Sequence, residues 1–500
     1  MKKMRVRFAP SPTGPLHLGS LRTALYNYLL AKKHQGDFIL RIEDTDQDRI
    51  VPGSEDYIIE ALNWCGLTPN ESPYNFGNYG PYRQSERKPL YDVYIRQLID
   101  KGHAYYAFDA LERINTLREK RKNKGEVFSY NEKTRLQMDN SLSMTSQELS
   151  HRLQQGQPYV IRFKTNTINE CFILHDEVRG KLQINTKTLE DKILVKSDGM
   201  PTYHLANVID DHLMKITHVI RGEEWLSSLP LHILLYKALG WEIPCFAHLP
   251  LIFKPEGKGK LSKRDGERIG FPVFPLSWKD RLGCREKGYF PEAFINIIAL
   301  LGWNPGGEQE IFSLSELIDK FSLQRVSKSG ARFDKEKAKW INQQYLRKKP
   351  IEELISLFHK ELEKHQIIST DEYLRKIIEA VKERANFISE IWDHSYYFFE
   401  STNQYDVKSI KKVEPMKNIF LLKKITQPLS KLHHFDASTL KKTFEDLIQK
   451  KQLCFSKMML QMRLALVGTL QGTDIFFIME MIGKEETLKR VYRFMFFLIQ

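Results

Sequence analysis

Along the first hundred residues, short apolar runs alternate with segments whose apolar positions recur every three or four residues. RVRFA reads as a strand, and LRTALYNYLLAKKHQG reads as a helix that stops at Gly36. DFILRIED is a compact apolar run, short enough for a buried strand. SEDYIIEALNWCG reads as a second helix, with Ser54 as its cap and Gly66 as its stop. Strand, helix, strand, helix predicts a parallel sheet with helices on its faces. The pattern then breaks. LERINTLREKRKNKGEVFSYNEKTR is polar, and strand-like patches follow in YVIRFK, CFILHDEVRGKLQI and DKILVKSDG. THVIRG and SLPLHILLYKALGW restore the strand-helix alternation. From residue 284 onward strands become scarce, and segments such as SLSELIDKF and IEELISLFHKELEKHQ carry helical spacing. The predicted fold is an α/β, Rossmann-like catalytic domain split by an α+β insertion, followed by mainly α-helical C-terminal domains.

Composition changes this picture in one respect. The 500 residues are 42% hydrophobic and 28% charged, ordinary values for a folded chain, with several domains expected. No apolar run approaches the roughly 18 residues of a membrane span, and MKKMRVRFAP lacks the apolar core of a signal peptide. The five cysteines are scattered, which suits a reducing cytoplasm better than a disulfide framework. Charge is the informative quantity. The net +14 favours a polyanionic partner, and half of it lies in residues 401–460, where 12 lysines face 5 acidic residues. Alone, that segment reads as a solvated lysine-rich helical surface; paired with a nucleotide site elsewhere, it reads as a nucleic-acid footprint.

The usual phosphate-binding motifs, G-x-x-x-x-G-K-[ST] and G-x-G-x-x-G, are absent, as are CxxC and HxxxH pairs. Other residues carry chemistry. PSPTGPLHLGS puts His17 and Gly19 at the start of a helix, behind a loop stiffened by prolines. A helix N-terminus attracts anions and an imidazole there could hold a phosphate; the same residues also serve as turn punctuation. Lys260-Leu261-Ser262-Lys263-Arg264 is a cationic loop of the kind that stabilises charge on transferring phosphates, or a solvated turn. RIEDTD (Arg41–Asp46) and RGEEW (Arg221–Trp225) put carboxylates at the ends of apolar strands, where open α/β sheets bind ligands. YHLAN, with Asp210 and Asp211 after it, offers a Tyr and an Asn for directional hydrogen bonds, or is an ordinary strand.

Taken in order, PSPTGPLHLGSLRTALYNYLLA, RIEDTD, GPYRQSER, SDGMPTYHLANVIDDHLMKITHVIRGEEWLSS and LSKR resemble the glutamyl-tRNA synthetases of bacterial type. HLGS is similar to the first class I synthetase signature and KLSKR to the second. FPEAFINIIALLGW and the run from FSLQRVSKSGARFD to KWIN resemble the family's stem-contact region. MRLALVGTLQGTDIFFIMEMIGKEETLKRV resembles its anticodon-binding helices. The resemblance implies a catalytic domain in residues 1–104 and 196–265, an acceptor-end-binding insertion in 105–195, a stem-contact domain in 266–340 and an anticodon-binding domain in 341–500. It implies ATP-dependent formation of glutamyl-adenylate, with tRNA bound, then transfer of the glutamyl group to tRNA(Glu). By motif position, Arg7, Tyr203 and Arg221 resemble the groups that hold the glutamate carboxylates, and guanidinium suits that task because it binds carboxylate as a fork. Ser11, Glu43 and Asn207 resemble the partners of the ammonium and backbone end. His17, Gly19, Glu224, Lys260, Ser262 and Lys263 resemble ATP contacts, with His17 and Lys263 in the catalytic role. Mg²⁺ would accompany ATP. The expected protein is a cytoplasmic monomer without a membrane partner.

The chain departs from the family pattern at three places. Zinc-bearing relatives have a CxC after AY in the insertion; here AYYAFDALE places Ala107 and Asp109 at those positions, so no structural zinc is expected. LSKR is followed by a longer connection, DGERIGFPVFPLSWKD, without an assigned role. Residues 401–460 match only loosely. The rival readings are a glutaminyl-tRNA synthetase, opposed by the helical periodicity after 340, and a form that also charges tRNA(Gln) with glutamate. A truncated paralogue would lack the last 200 or so residues. A non-catalytic tRNA-binding relative would have lost His17, Lys263 or Arg221.

Overall fold

The computed structural model describes residues 3–165, 171–186, 189–256, 259–262, 265, 266, 268, 270–402, 404–406, 410, 415–451 and 454–499. They divide into two units, one ending at Ala338 and the other beginning at Lys339.

The first unit is built on parallel strands. β1 (Arg5–Phe8) feeds α1 (Leu18–Lys33), which returns to β2 (Asp37–Leu40), paired parallel to β1 with Arg5 opposite Asp37. All four residues of β1 are buried, as expected of a strand covered on both faces. α2 (Ser54–Trp64) and α3 (Lys88–Asp100) follow. The predicted Ser54 cap is displaced by one residue: Gly53, at φ 79°, holds the cap position and Ser54 is the first helical residue. That left-handed φ suits glycine and not serine.

Next come β3 (Ala104–Ala107), α4 (Leu111–Lys122), α5 (Ser146–Gln154), β4 (Val160–Phe163), β5 (Cys171–Asp176), β6 (Gly180–Asn185) and β7 (Ile193–Val195). β3, β4 and β7 form a separate antiparallel sheet. The β5–β6 hairpin behaves differently. α6 (Tyr203–Leu213), β8 (His218–Gly222), α7 (Leu229–Leu239) and β9 (Cys245–Leu249) resume the alternation, and the four-stranded sheet runs β6-β5-β9-β8. The hairpin therefore extends the second parallel pair instead of joining its sequence neighbours. β8 and β9 are parallel, with Arg221 opposite His248. β8 lies beside β1 through Thr217, whose N–H donates to the Arg5 carbonyl at 2.9 Å and whose hydroxyl accepts from the Arg5 N–H at 3.0 Å. The YHLAN stretch opens helix α6 and is not a strand.

The second unit is helical, as the spacing after residue 340 predicts. Helices Ile351–Lys364, Asp371–Val381, Pro415–Ser430, Ala437–Lys451, Phe455–Val467 and Ile475–Phe497 surround a core that includes Ile377, Leu422, Phe444, Met462 and Phe494. Lys423, Lys441, Lys442 and Lys450 stay exposed on those helices, and Lys431 just beyond the end of one.

Two predictions follow from burial in the first unit. Asp210 is fully buried and accepts from Arg87 Nε at 2.6 Å, Gln84 Nε2 at 2.8 Å and the Tyr91 hydroxyl at 2.9 Å. Asp210→Ala would leave the buried Arg87 guanidinium without its carboxylate, so urea denaturation should show a loss of about 3–5 kcal/mol; a loss below about 1 kcal/mol would contradict this role. Burial also holds His103, His204, His212, His218, His232 and His248 below their ordinary value, His204 at about 4. Unfolded histidine titrates near 6.5, so below that pH the unfolded chain takes up protons that the folded chain refuses. The urea midpoint should therefore drop as pH is lowered from about 6.5 toward 4, and a flat profile across that window would contradict the neutral burial of these rings.

Candidate active site

At the ends of β1, β2 and β8 the first unit opens onto a cavity of about 830 Å³. The proline loop forms one wall and is pinned along its length. The Glu43 N–H donates to the Pro10 carbonyl and the Val51 N–H to the Pro12 carbonyl, each at 3.0 Å. His17 caps α1, and its Nδ1 accepts from the Gly19 N–H at 3.3 Å. The punctuation and the chemistry therefore use the same residue. A Cβ on Gly19 would meet nothing nearer than His17 Nδ1 at 3.8 Å, so the protein's own packing does not demand glycine there. The bare backbone lines the cavity instead.

The connection after LSKR has a structural use that the sequence did not disclose. The Val273 carbonyl accepts from the Leu18 N–H at 3.0 Å, and the Phe274 ring meets His17 edge-on at 6.4 Å. Phe271, Val273, Phe274 and Leu276 are buried. This segment braces the turn that carries His17.

A buried charge cluster forms the floor. Arg7, at 3% exposure, is gripped by Asp211 through Nε at 3.0 Å and NH2 at 3.2 Å. Arg41, wholly buried, donates to the same Asp211 at 2.8 Å and to Glu43 at 3.0 Å. Glu43 also accepts from Asn207 Nδ2 at 2.9 Å. Burial disfavours the Asp211 charge, but Arg7 and Arg41 outweigh it and hold the carboxyl below its ordinary value. At Glu43 burial prevails over Arg41 and Asn207, and the carboxyl is raised.

Arg221 is held otherwise. Its Nε donates to His248 Nε2 at 3.0 Å, and NH1 lies 3.3 Å from the Tyr203 hydroxyl and 3.2 Å from His232 Nδ1. NH2 donates to the Trp225 carbonyl at 3.4 Å. Among the described residues no carboxylate pairs with Arg221, although it is 5% exposed. Tyr203 packs on Trp225 with ring centroids 4.3 Å apart, and burial raises its hydroxyl to about 12, so it remains a donor.

On the remaining wall, Lys260 Nζ pairs with Glu224 at 3.2 Å. The Ser262 N–H donates to Asp265 at 2.9 Å. Lys263 lies outside the described residues. Every other predicted site residue, Ser11 included, lines this one cavity. Sequence reasoning missed Asp176, His232 and His248. The two histidines had a signal, a single polar residue inside an apolar run, as in LPLHILL and CFAHLPL, whereas Asp176 sits in the polar run HDE and had none. It also missed Arg22, a buried lining residue whose NH1 donates to the Leu301 carbonyl at 2.9 Å.

Among the described residues, no group of three or more His, Cys, Asp or Glu is arranged to hold a metal. Asp109, one of the positions on which the zinc expectation turns, accepts from the Tyr130 hydroxyl at 2.9 Å and the Asp139 N–H at 3.1 Å. No helix among the described residues is long and apolar enough to cross a membrane.

Residues 3–340 match the family model of class I tRNA synthetases (E and Q), catalytic domain, and residues 353–495 match that of an anticodon binding domain. The glutamate–tRNA ligases of Christiangramia forsetii and Flavobacterium psychrophilum are each 52% identical to this chain, covering 98% of it and 98% of their own length. A crystal structure of the glutamate tRNA ligase of Elizabethkingia meningosepticum in complex with its amino acid superposes with a TM-score of 0.96 at 52% identity, over 99% of this chain and 100% of that one. Motif order, the split parallel sheet, the helical second unit and these likenesses agree, and the chain belongs to the class I glutamate–tRNA ligases.

Proposed function

We propose that this cavity is where L-glutamate and ATP react, and that the product serves protein synthesis. A carboxylate oxygen of glutamate attacks the α-phosphorus of ATP, the bond to the β-phosphate oxygen breaks, and glutamyl-adenylate and pyrophosphate form. A hydroxyl of the 3′-terminal adenosine of tRNA(Glu) then attacks the acyl carbon and AMP leaves. Neither step requires a covalent enzyme intermediate.

The observation that carries the reading is the unequal state of the two cavity arginines. Arg7 is matched by Asp211, whereas Arg221 is buried among neutral acceptors. A buried cation without a counter-ion invites an anion of the substrate. Arg221, aided by Arg7 and the Tyr203 hydroxyl, holds the glutamate carboxylates. Glu43, Asn207 and Ser11 face the ammonium end. Glu43 is partly occupied by Arg41, which keeps its acceptor orientation fixed. Gly19 admits the nucleotide to the backbone, and Glu224, Lys260 and Ser262 contact it. His17 and Lys263 stabilise the charge on the transferring phosphate. Mg²⁺ arrives as part of the substrate. Glu43 and Glu224 are already paired with Arg41 and Lys260, so the carboxylates here do not form a protein-only cage.

The exposed lysines of the second unit supply the tRNA's electrostatic footprint. Free cysteines at all five positions support work in a reducing cytoplasm, where the chain acts as a monomer.

The direct test is charging of purified glutamate and glutamine tRNA isoacceptors with either amino acid. Glutamate on tRNA(Glu) is expected, and no ATP-dependent charging of any glutamate tRNA would overturn the reading. In the same assay Arg221→Ala should lower kcat/KM for glutamate by about 100- to 1000-fold with near-ultraviolet circular dichroism unchanged; unaltered activation would remove Arg221 from the pocket. Metal analysis should return far less than one zinc per chain, and about one equivalent would refute the zinc-free insertion.

A further inference from the structure

Arg221 can only donate hydrogen bonds, and this fixes the protons of everything around it. His248 Nε2 and His232 Nδ1 both receive from the guanidinium, so both nitrogens carry no hydrogen. The His248 proton is then on Nδ1, which lies 2.7 Å from Asp176 Oδ2. The His232 proton is on Nε2, which lies 3.2 Å from His204 Nδ1. The chain has one polarity on each side of Arg221, and it leaves both imidazoles neutral.

The anchors of this chain are rigid. Asp176 ends β5 and accepts the backbone N–H groups of Val178 at 3.0 Å and Arg179 at 2.8 Å. His248 sits on β9 directly opposite Arg221. His232 lies on α7, and His204 follows Tyr203 on α6. Three strands and two helices thus converge on one guanidinium. His232, His248 and Asp176 are all at 1% exposure or less, so water does not substitute for them.

Resting on the reading of Arg221 as the group that holds a glutamate carboxylate, we infer that His248 and His232 are positioning residues of the amino-acid pocket, whose neutral ring nitrogens orient the Arg221 guanidinium without cancelling its charge. A carboxylate would hold the guanidinium as firmly, as Asp211 holds Arg7, but would also satisfy it. A neutral acceptor holds it and leaves the charge for the substrate. Asp176 and His204 keep the two rings in the accepting tautomers, and an Nε2–H on His248 or an Nδ1–H on His232 would point a donor at a donor.

The test separates orientation, charge and bulk by substitution at the two rings. His248→Gln and His232→Asn each return an oxygen acceptor near the lost ring nitrogen. His248→Leu and His232→Leu keep the volume and remove the acceptor. His232→Asp restores the acceptor and adds a charge. The leucine variants and His232→Asp should raise KM for glutamate about 10- to 100-fold while leaving KM for ATP within about threefold; a pocket whose orienting shell is lost suffers on this scale. His248→Gln and His232→Asn should stay within about fivefold of wild type. Equal rises in both KM values, no rise in glutamate KM, or His232→Asp matching His232→Asn would each overturn the inference. If the leucine variants do not fold, the comparison of His232→Asn with His232→Asp decides it. Nitrogen-15 spectra of histidine-labelled wild-type protein at pH 7 should show neutral rings, protonated at Nδ1 for His248 and at Nε2 for His232, and a cationic ring at either position would overturn it. Arg221→Ala in the same series distinguishes the two levels. A silent Arg221→Ala defeats the function assigned to Arg221, whereas a damaging Arg221→Ala beside silent histidine variants defeats only the positioning role.

Discussion

One carboxylate organises the catalytic unit. Asp211, on α6, receives Arg7 from β1 and Arg41 from the end of β2, and so ties two parallel strands to the helix beneath them. Its neighbour Asp210 accepts from Arg87, Gln84 and Tyr91 and also lies 3.9 Å from Arg41 Nε, so Arg41 sits between the two acids. Burying charge is costly unless every ion is matched, and these are matched tightly. Once Arg41 is fixed by Asp211, its other nitrogen fixes Glu43, and Glu43 in turn receives Asn207. The pocket floor is thus a sequence of dependent contacts that starts from Asp211.

Against that matched floor, Arg221 stands out by its company. Its partners are two imidazoles, a phenol and a carbonyl, all neutral. Guanidinium delocalises its charge and tolerates this better than an ammonium would. The Tyr203 hydroxyl accepts from Arg221 and keeps its own hydrogen for another acceptor. The Arg221 guanidinium and the Tyr203 O–H thus bring donors together on one wall of the cavity, a combination that suits a carboxylate.

Much of this was legible in the sequence, for reasons that can be named. Periodicity exposed the alternation of β1, α1 and β2 and the helical second unit, because burial of one face writes itself at short range. The residues that gather around the cavity were legible through the ordered set of motifs that resembles a known family; by local pattern alone Arg7, inside β1, and Asn207, inside α6, carry no signature. What escaped was set at long range. Nothing in CFILHDEVRGKLQI announces that Asp176 will pair beside Phe246 of β9 and extend the parallel sheet. His232 and His248 were hidden for the same reason, since a lone histidine in an apolar run acquires meaning only when Arg221 is placed beside it. The Gly53 cap was missed because serine is the commoner capping residue and only the backbone's φ decides between them.

The hydrogen bonds of the turn at PSPTGPLHLGS limit what its backbone can offer an anion. An isolated helix N-terminus offers several unpaired N–H groups to a phosphate. Here the Leu18 N–H already donates to the Val273 carbonyl and the Gly19 N–H to the His17 ring. The backbone is thus less available than the motif suggests, and attraction for an anion falls to the helix dipole and to His17 itself. With Nδ1 accepting, the hydrogen of a neutral His17 ring lies on Nε2, the nitrogen farther from the backbone. The cap and the Phe274 contact limit the freedom of that ring. The long connection after LSKR thus acts on the turn itself: its Val273 carbonyl closes one donor of α1 and its Phe274 ring packs on the imidazole, and together they fix how His17 is oriented.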